Sequence, residues 1–207
     1  MRNCLIFCAG EFDKLCRPLG EGDLLMAADG GLAHVNKLGL VPDIVLGDFD
    51  SLGYVPEGAE LHPVEKDDTD SMLAIKKGLR LGCDTFYLYG ALDGSRVDHT
   101  MANFQALQYL SERGARGYLV GLRQTVTAIT CGTVRMPEGW EGYLSVFCMG
   151  SDASGVTIRG AQYEIEDATL TSGFPLGVSN RFVGKPTTVT VENGTLLLIW
   201  DTANGVP

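Results

Sequence analysis

The chain has 207 residues, 45% hydrophobic and 20% charged, the balance of a soluble globular protein with room for one large domain or two small ones. Its 26 acidic and 16 basic residues give a net charge of −10, which argues against nucleic-acid binding and against attachment to anionic membranes. No stretch approaches the roughly 20 apolar residues of a membrane span, and the N-terminal apolar run is too short for a signal peptide, so a cytoplasmic location is expected.

The first half alternates apolar runs with helical patterns. Residues 3–8 are predicted as a strand carrying Cys4 and Cys8 on one face. None of the six cysteines forms a C-x-x-C pair, so reduced thiols are expected rather than a zinc site or disulfides. Residues 24–28 read as a second strand, followed by Asp29-Gly30-Gly31. A short helix then carries Leu32, Val35 and Leu38 and stops at Gly39. A strand over 43–46 leads into Gly47-Asp48-Phe49-Asp50-Ser51. In extended backbone Asp48 and Asp50 point the same way and Phe49 the other. Two like charges that close raise each other's pKa unless a cation lies between them, and Mg²⁺ with a phosphate substrate is the usual case. The alternative is a solvated turn.

Residues 60–64 read as a short strand. Lys66-Asp67-Asp68-Thr69-Asp70 then opens a helix with Met72, Ile75 and Leu79 on its apolar stripe, ended by Gly82. Asp67 or Asp68 is the expected N-cap. Asp70, one helical turn after Asp67, is expected to face the same ligand. Residues 85–89 form a strand, followed by a loop from Gly90 to Arg96. A longer helix carries Val97, Met101, Phe104, Leu107 and Leu110, and residues 116–120 give one more strand. The alternation predicts a mostly parallel sheet with flanking helices.

From about Gly121 no helical pattern is found. Short β-rich runs recur at 125–130, 132–136, 143–148, 156–158, 163–165, 168–170, 187–191 and 196–200. Glu192-Asn193-Gly194 predicts a hairpin between the last two. The predicted fold is therefore an α/β N-terminal domain over 1–121 and an all-β C-terminal domain over 122–207, a sandwich or small barrel.

Five loops of the first half carry Gly and Asp where strands end. In a parallel sheet such loops share one edge, where glycine turns and helix N-termini suit phosphates. Taken together, Ala28-Asp29-Gly30-Gly31, Gly47-Asp48-Phe49-Asp50-Ser51, Lys66-Asp67-Asp68-Thr69-Asp70 and Gly94-Ser95-Arg96-Val97-Asp98-His99 with Asn103 resemble the thiamine pyrophosphokinase family in order and spacing. Gly177-Val178-Ser179-Asn180 is similar to that family's thiamine-site motif.

The resemblance implies an α/β nucleotide-binding domain followed by a β-sandwich, and a homodimer with thiamine sites at the subunit interface. It implies transfer of a pyrophosphoryl group from ATP to the hydroxyl of thiamine, giving AMP and thiamine diphosphate. On this reading Asp48, Asp50, Asp70 and Asp67 hold Mg²⁺. ATP meets Asp29, Gly30, Gly31, Lys66, Asp67, Thr69, Gly90 and Arg96. Thiamine meets Asp98, Tyr163, Ser179 and Asn180, and Asp98 orients or deprotonates the hydroxyl. Two departures stand out: Ser95 where the family often has Gly, and Tyr163 where it often has Trp. Two rivals remain at this point, a pyrophosphokinase acting on a pterin alcohol and a non-catalytic nucleotide-sensing module.

Overall fold

Residues 3–7, 24–28 and 85–89 are almost entirely apolar, and a continuously apolar strand is stable only with both faces covered. In the computed structural model, which describes residues 2–50, 52–65 and 67–207, these are the interior strands of a parallel sheet. Ser51 and Lys66 lie outside the described residues. The chain divides into two compact units, Met1–Ala106 with Leu119–Leu122, and Leu107–Tyr118 with Arg123–Pro207.

In the first unit β1 (Asn3–Phe7), β2 (Leu24–Ala28), β3 (Ile44–Gly47), β4 (Glu60–Leu61) and β5 (Thr85–Tyr89) run parallel in the order β4-β3-β2-β1-β5. The edge strand β4 is only two residues long, both exposed, shorter than the expected 60–64. The core holds Leu5, Ile6, Phe7, Met26, Phe86 and Leu88. A single 3-10 turn, Asp29–Gly31, joins β2 to α1 (Leu32–Lys37). Gly31 is needed there for closeness: a Cβ would lie 2.0 Å from the Phe7 carbonyl oxygen.

Helix α2 (Asp70–Arg80) begins later than expected. Its N-cap is Thr69, whose hydroxyl accepts from the Met72 N–H at 3.3 Å, and not Asp67 or Asp68. Asp68 is instead engaged through both oxygens by Lys76 Nζ at 2.7 Å. Helix α3 (Val97–Ser111) and β6 (Arg116–Val120) follow, and both are divided between the two units.

The second unit contains β7 (Gln124–Thr130), β8 (Thr133–Met136), β9 (Tyr143–Arg159), β10 (Ile165–Leu170), β11 (Asn180–Arg181), β12 (Thr187–Thr190) and β13 (Asn193–Asp201). All pairings within it are antiparallel. The expected strands 143–148 and 156–158 are one 17-residue strand. The first part of β9 pairs with β13 and β11; its last part pairs with β10 and β12. Gly150, at positive φ, falls between the two parts, and Gly155, also at positive φ, falls within the last.

The expected hairpin at Glu192-Asn193-Gly194 is overturned. β12 pairs with β8 and β9, whereas β13 pairs with β7 and β9. Asn-Gly here turns the chain from one set of strands to the other, because a turn signal fixes local backbone and not the partner. The unit's core includes Trp140, whose ring lies 5.7 Å from that of Trp200 and 5.4 Å from that of Phe182. Buried indoles need a hydrogen-bond partner, and Trp200 Nε1 donates to Gly205 O at 2.9 Å.

The Gly31 contact yields a stability prediction. Gly31→Ala forces a methyl against backbone that cannot rotate away, which costs about 1–3 kcal/mol. Urea unfolding measures it. Gly173→Ala, with nothing within 4 Å of the new methyl and no positive φ, is the control for removing a glycine alone. A Gly31→Ala midpoint no lower than the control's is incompatible with this packing.

Candidate active site

Because β1, β2, β3 and β5 are parallel, the loops after them open on one edge. They line a cavity of about 530 Å³ in the first unit, with Gly10 after β1, Asp29 after β2, Asp48 after β3, and Gly90 and Arg96 after β5. Thr69 and Asp70, at the start of α2, also line it. Gly30 and Gly31 are not among the lining residues, and Gly31 has the packing role described above.

The register of β2 with β3 pairs Ala28 with Leu46, so the next residues, Asp29 and Gly47, come side by side. Gly47 has φ 151°, and a Cβ on it would lie 3.1 Å from Asp29 Cα. The backbone beyond does not stay extended, which was the condition for Asp48 and Asp50 to point the same way. Phe49 has φ 58° and its side chain is buried. Its carbonyl accepts from the N–H groups of Leu52 and Gly53. Asp29, with φ 48°, is also left-handed. Such conformations cost roughly 1–2 kcal/mol for a non-glycine residue. They persist where surrounding structure enforces them, often at functional sites.

The turn brings Asp29, Asp48 and Asp50 together, with one carboxylate oxygen of each within 4.8 Å of the others. The Oδ1 atoms of Asp29 and Asp70 are buried. Hard oxygen donors at this spacing fit Mg²⁺. Sequence reasoning placed Asp29 on ATP but missed its closeness to Asp48, which depends on β2 and β3 being neighbours. Asp67 is exposed and not among the lining residues. Lys66 lies outside the described residues.

Thr69 does more than cap α2. Its Oγ1 is 3.0 Å from Ser71 Oγ, which donates to Asn103 Oδ1 at 2.8 Å, while Asn103 Nδ2 donates to Ala91 O at 2.7 Å. Ser71 and Asn103 are buried, so this chain ties α2, α3 and the loop after β5 beneath the cavity. Ser71 carried no signal in the sequence, since a serine in a first helical turn is commonplace. Cys8 also lines the cavity, and burial, followed by the nearby Asp70 charge, pushes its thiol up to about 12. Burial thus favours the neutral thiol. All six cysteines are free.

Arg96 and Asp98 form a two-pronged ion pair at the start of α3. Nε of Arg96 donates to Oδ1 at 3.1 Å and Nη2 donates to Oδ2. Both side chains are largely exposed, at 64% and 62%. The guanidinium holds the Asp98 carboxyl down at about 2.

Tyr163, Ser179 and Asn180 belong to the second unit. Tyr163 is 61% exposed. Ser179 is exposed and left-handed, with φ 61°. Asn180 is buried and works locally. Its Oδ1 accepts from the N–H groups of Tyr163 and Arg181 at 2.9 and 2.8 Å, and its Nδ2 donates to Tyr163 O at 2.7 Å. Asn180 therefore fixes both backbone polar groups of Tyr163.

Residues 17–119 match the family described as "Thiamin pyrophosphokinase, catalytic domain", and residues 133–197 match "Thiamin pyrophosphokinase, vitamin B1 binding domain". The chain is 24% identical over 191 residues to a thiamine pyrophosphokinase of Bacillus subtilis strain 168, covering 88% of this chain and 89% of that protein. Its fold is similar to the crystal structure of the Bacillus subtilis thiamine pyrophosphokinase, with TM-score 0.82 at 22% identity over 96% of this chain and 98% of the other. It is also similar to the thiamin pyrophosphokinase of Candida albicans, with TM-score 0.76 at 13% identity over 96% and 88%.

The ion pair predicts a titration. Asp98 has its pKa lowered, so the pair favours the folded state above the ordinary carboxylate range, and that contribution is lost as pH falls toward about 2. Carboxyl ¹³C NMR of Asp98 is expected to show a midpoint near 2, and Arg96→Gln is expected to raise it toward the ordinary carboxylate range. A wild-type midpoint already in that range means the pair does not persist in solution.

Proposed function

The chain belongs to the thiamin pyrophosphokinase family, and from that premise we propose that it transfers the pyrophosphoryl group of ATP to the hydroxyl of thiamine. The products are thiamine diphosphate and AMP. One observation carries the reading at the level of chemistry: three carboxylates converge at the carboxyl edge of a parallel sheet, two of them, Asp29 and Asp48, lining a cavity that Arg96 also lines. A match to a vitamin B1 binding domain favours thiamine over a pterin alcohol, and catalysis over nucleotide sensing.

Asp48 and Asp50, with Asp29 and Asp70, are the residues that would hold Mg²⁺. Bound there, Mg²⁺ neutralises charge on the phosphate chain of ATP. Asp67, exposed and neither in the carboxylate cluster nor among the cavity-lining residues, is left out of this set. Arg96 donates to the phosphates through its guanidinium, and Lys66, by its place in the motif, adds a second cation. Thr69 fixes the N-terminus of α2, whose free N–H groups favour an anion. Gly90 lines the cavity as backbone that phosphate can approach closely. The thiamine hydroxyl attacks the β-phosphorus in line. The new O–P bond forms as the bond from the β-phosphorus to the bridging oxygen of AMP breaks.

The second unit holds the thiamine rings. Tyr163 offers an exposed π face, Asn180 fixes the backbone that carries it, and Ser179 supplies a hydroxyl beside it. We assign the catalytic domain to 1–121 and the thiamine-binding domain to 122–207. The second reads as a sandwich because β9 belongs to two sets of antiparallel strands. The working form is a homodimer. Phe174, Leu176 and Val178 are all exposed beside Ser179, and a second copy of the chain is the expected cover. No helix among the described residues is long and apolar enough to cross a membrane, and we assign the enzyme to the cytoplasm. A net charge of −10 suits a cationic acceptor.

The direct test is AMP release from ATP that depends on added thiamine. Asp50→Asn keeps the shape and removes the charge, so kcat falls by roughly 10²–10³-fold, the scale of one electrostatic catalytic group, with unchanged thermal unfolding. Turnover within about threefold of wild type at saturating Mg²⁺ rules out the metal role. Asn180→Ala removes the brace on Tyr163, so the thiamine KM rises roughly five- to 150-fold while the ATP KM stays unchanged. A rise in both points to general damage and removes the assignment.

A further inference from the structure

The pair at the start of α3 divides the work between two residues in a way the motif did not indicate. The sequence casts Asp98 as the carboxylate that orients or deprotonates the thiamine hydroxyl. Arg96 lines the cavity, whereas Asp98 is not among its lining residues. Both oxygens of Asp98 accept from Arg96, one from Nε and one from Nη2. A carboxylate held this way by a guanidinium has little tendency to take a proton, and the Asp98 carboxyl is accordingly held near 2. A base that acidic is poorly matched to an alcohol.

The geometry of the guanidinium completes the argument. Arginine has five N–H donors in a planar fork, and binding along the Nε edge leaves Nη1 and the second N–H of Nη2 for another anion. Asp98 lies in the first turn of α3, where the helix favours a carboxylate. The Thr100 N–H bonds Arg96 O at 3.2 Å, so the backbone at 96 is already part of the helix start. The two residues therefore share one rigid piece of chain. An arginine side chain 64% exposed would otherwise sample many rotamers, and its ordering opposes binding.

We propose that Asp98 is a positioning residue that holds one edge of the Arg96 guanidinium so that its other donors meet the phosphate chain of ATP, and that it is not the base for the acceptor hydroxyl. This rests on the assignment of Arg96 to the phosphates. Asp98 acts on the donor side of the reaction, and its loss is felt through Arg96.

The experiment is a double-mutant cycle on the full chain, with Arg96→Gln, Asp98→Asn and the double variant, read as KM for ATP, KM for thiamine and the pH profile of kcat/KM. Asp98→Asn is expected to raise the ATP KM about five- to 30-fold, to leave the thiamine KM within about twofold, and to keep the acidic limb of the profile. The double variant is expected to match Arg96→Gln within about twofold, since Asp98 has no route to ATP except through Arg96. Asp98→Glu, which keeps the charge, restores part of the ATP KM.

Asp98→Asn with an unchanged ATP KM, a kcat loss above about 10³-fold and a flattened acidic limb makes Asp98 the base and overturns the proposal. Additive effects in the double variant overturn it as well. An unchanged ATP KM in Arg96→Gln overturns the assignment of Arg96 to the phosphates, and the positioning role with it. Thermal unfolding of every variant is measured alongside. Because both side chains are exposed, all are expected to fold, and a variant that loses ATP affinity only in proportion to its stability contradicts the positioning role.

Discussion

Like charges repel, and the first unit is built to hold three together. Asp29, Asp48 and Asp50 bring carboxylate oxygens within 4.8 Å of one another. Their mutual repulsion opposes this. It is imposed by the backbone, through the β2–β3 register, the glycine at 47 that lets two loops touch, and two left-handed residues. Burial of Phe49 secures one of those residues, because releasing its φ would drag an aromatic ring into water. The parallel core thus holds the acidic edge in place.

The same logic orders the surrounding parts. The Thr69–Ser71–Asn103 chain is buried, so its hydrogen bonds are costly to break, and it locks α2 and α3 to the loop after β5. Asp70 is thereby fixed to the cavity along with the start of its helix. Arg96 sits at the other end of that arrangement on an exposed stem and needs a local partner, which Asp98 provides. Where the structure is buried, position comes from packing. Where it is exposed, position comes from ion pairing, which salt screens and mutation can probe.

The second unit uses different means for a comparable end. A long strand shared between two sets of antiparallel partners leaves loops at its margins, and Asn180 takes up the backbone polar groups of Tyr163. A buried amide that satisfies another residue's backbone makes an exposed loop rigid. An aromatic ring carried on such a loop binds a flat ligand with less loss of conformational freedom.

The sequence by itself determined the strands of the parallel sheet, the helices between them and the acidic loops at their ends. Unbroken apolar runs and the 3.6-residue period are local signals that burial reinforces. It also placed Asp48 and Asp50 close together, because only one residue separates them. Only the tertiary structure decided that Asp29 joins them, since adjacency of β2 and β3 is written in neither strand. It alone decided that Thr69 caps α2, because four polar residues in a row offer several caps and the Lys76 bond to Asp68 selects among them. The Asn193-Gly194 turn was legible as a turn, yet its strands go to different partners, because turn chemistry acts over four residues and strand pairing over the whole chain. The hydrogen-bond partners of Asp98 and Asn180 were hidden for the same reason: a motif names a side chain, and what that side chain touches is fixed only when the chain has folded.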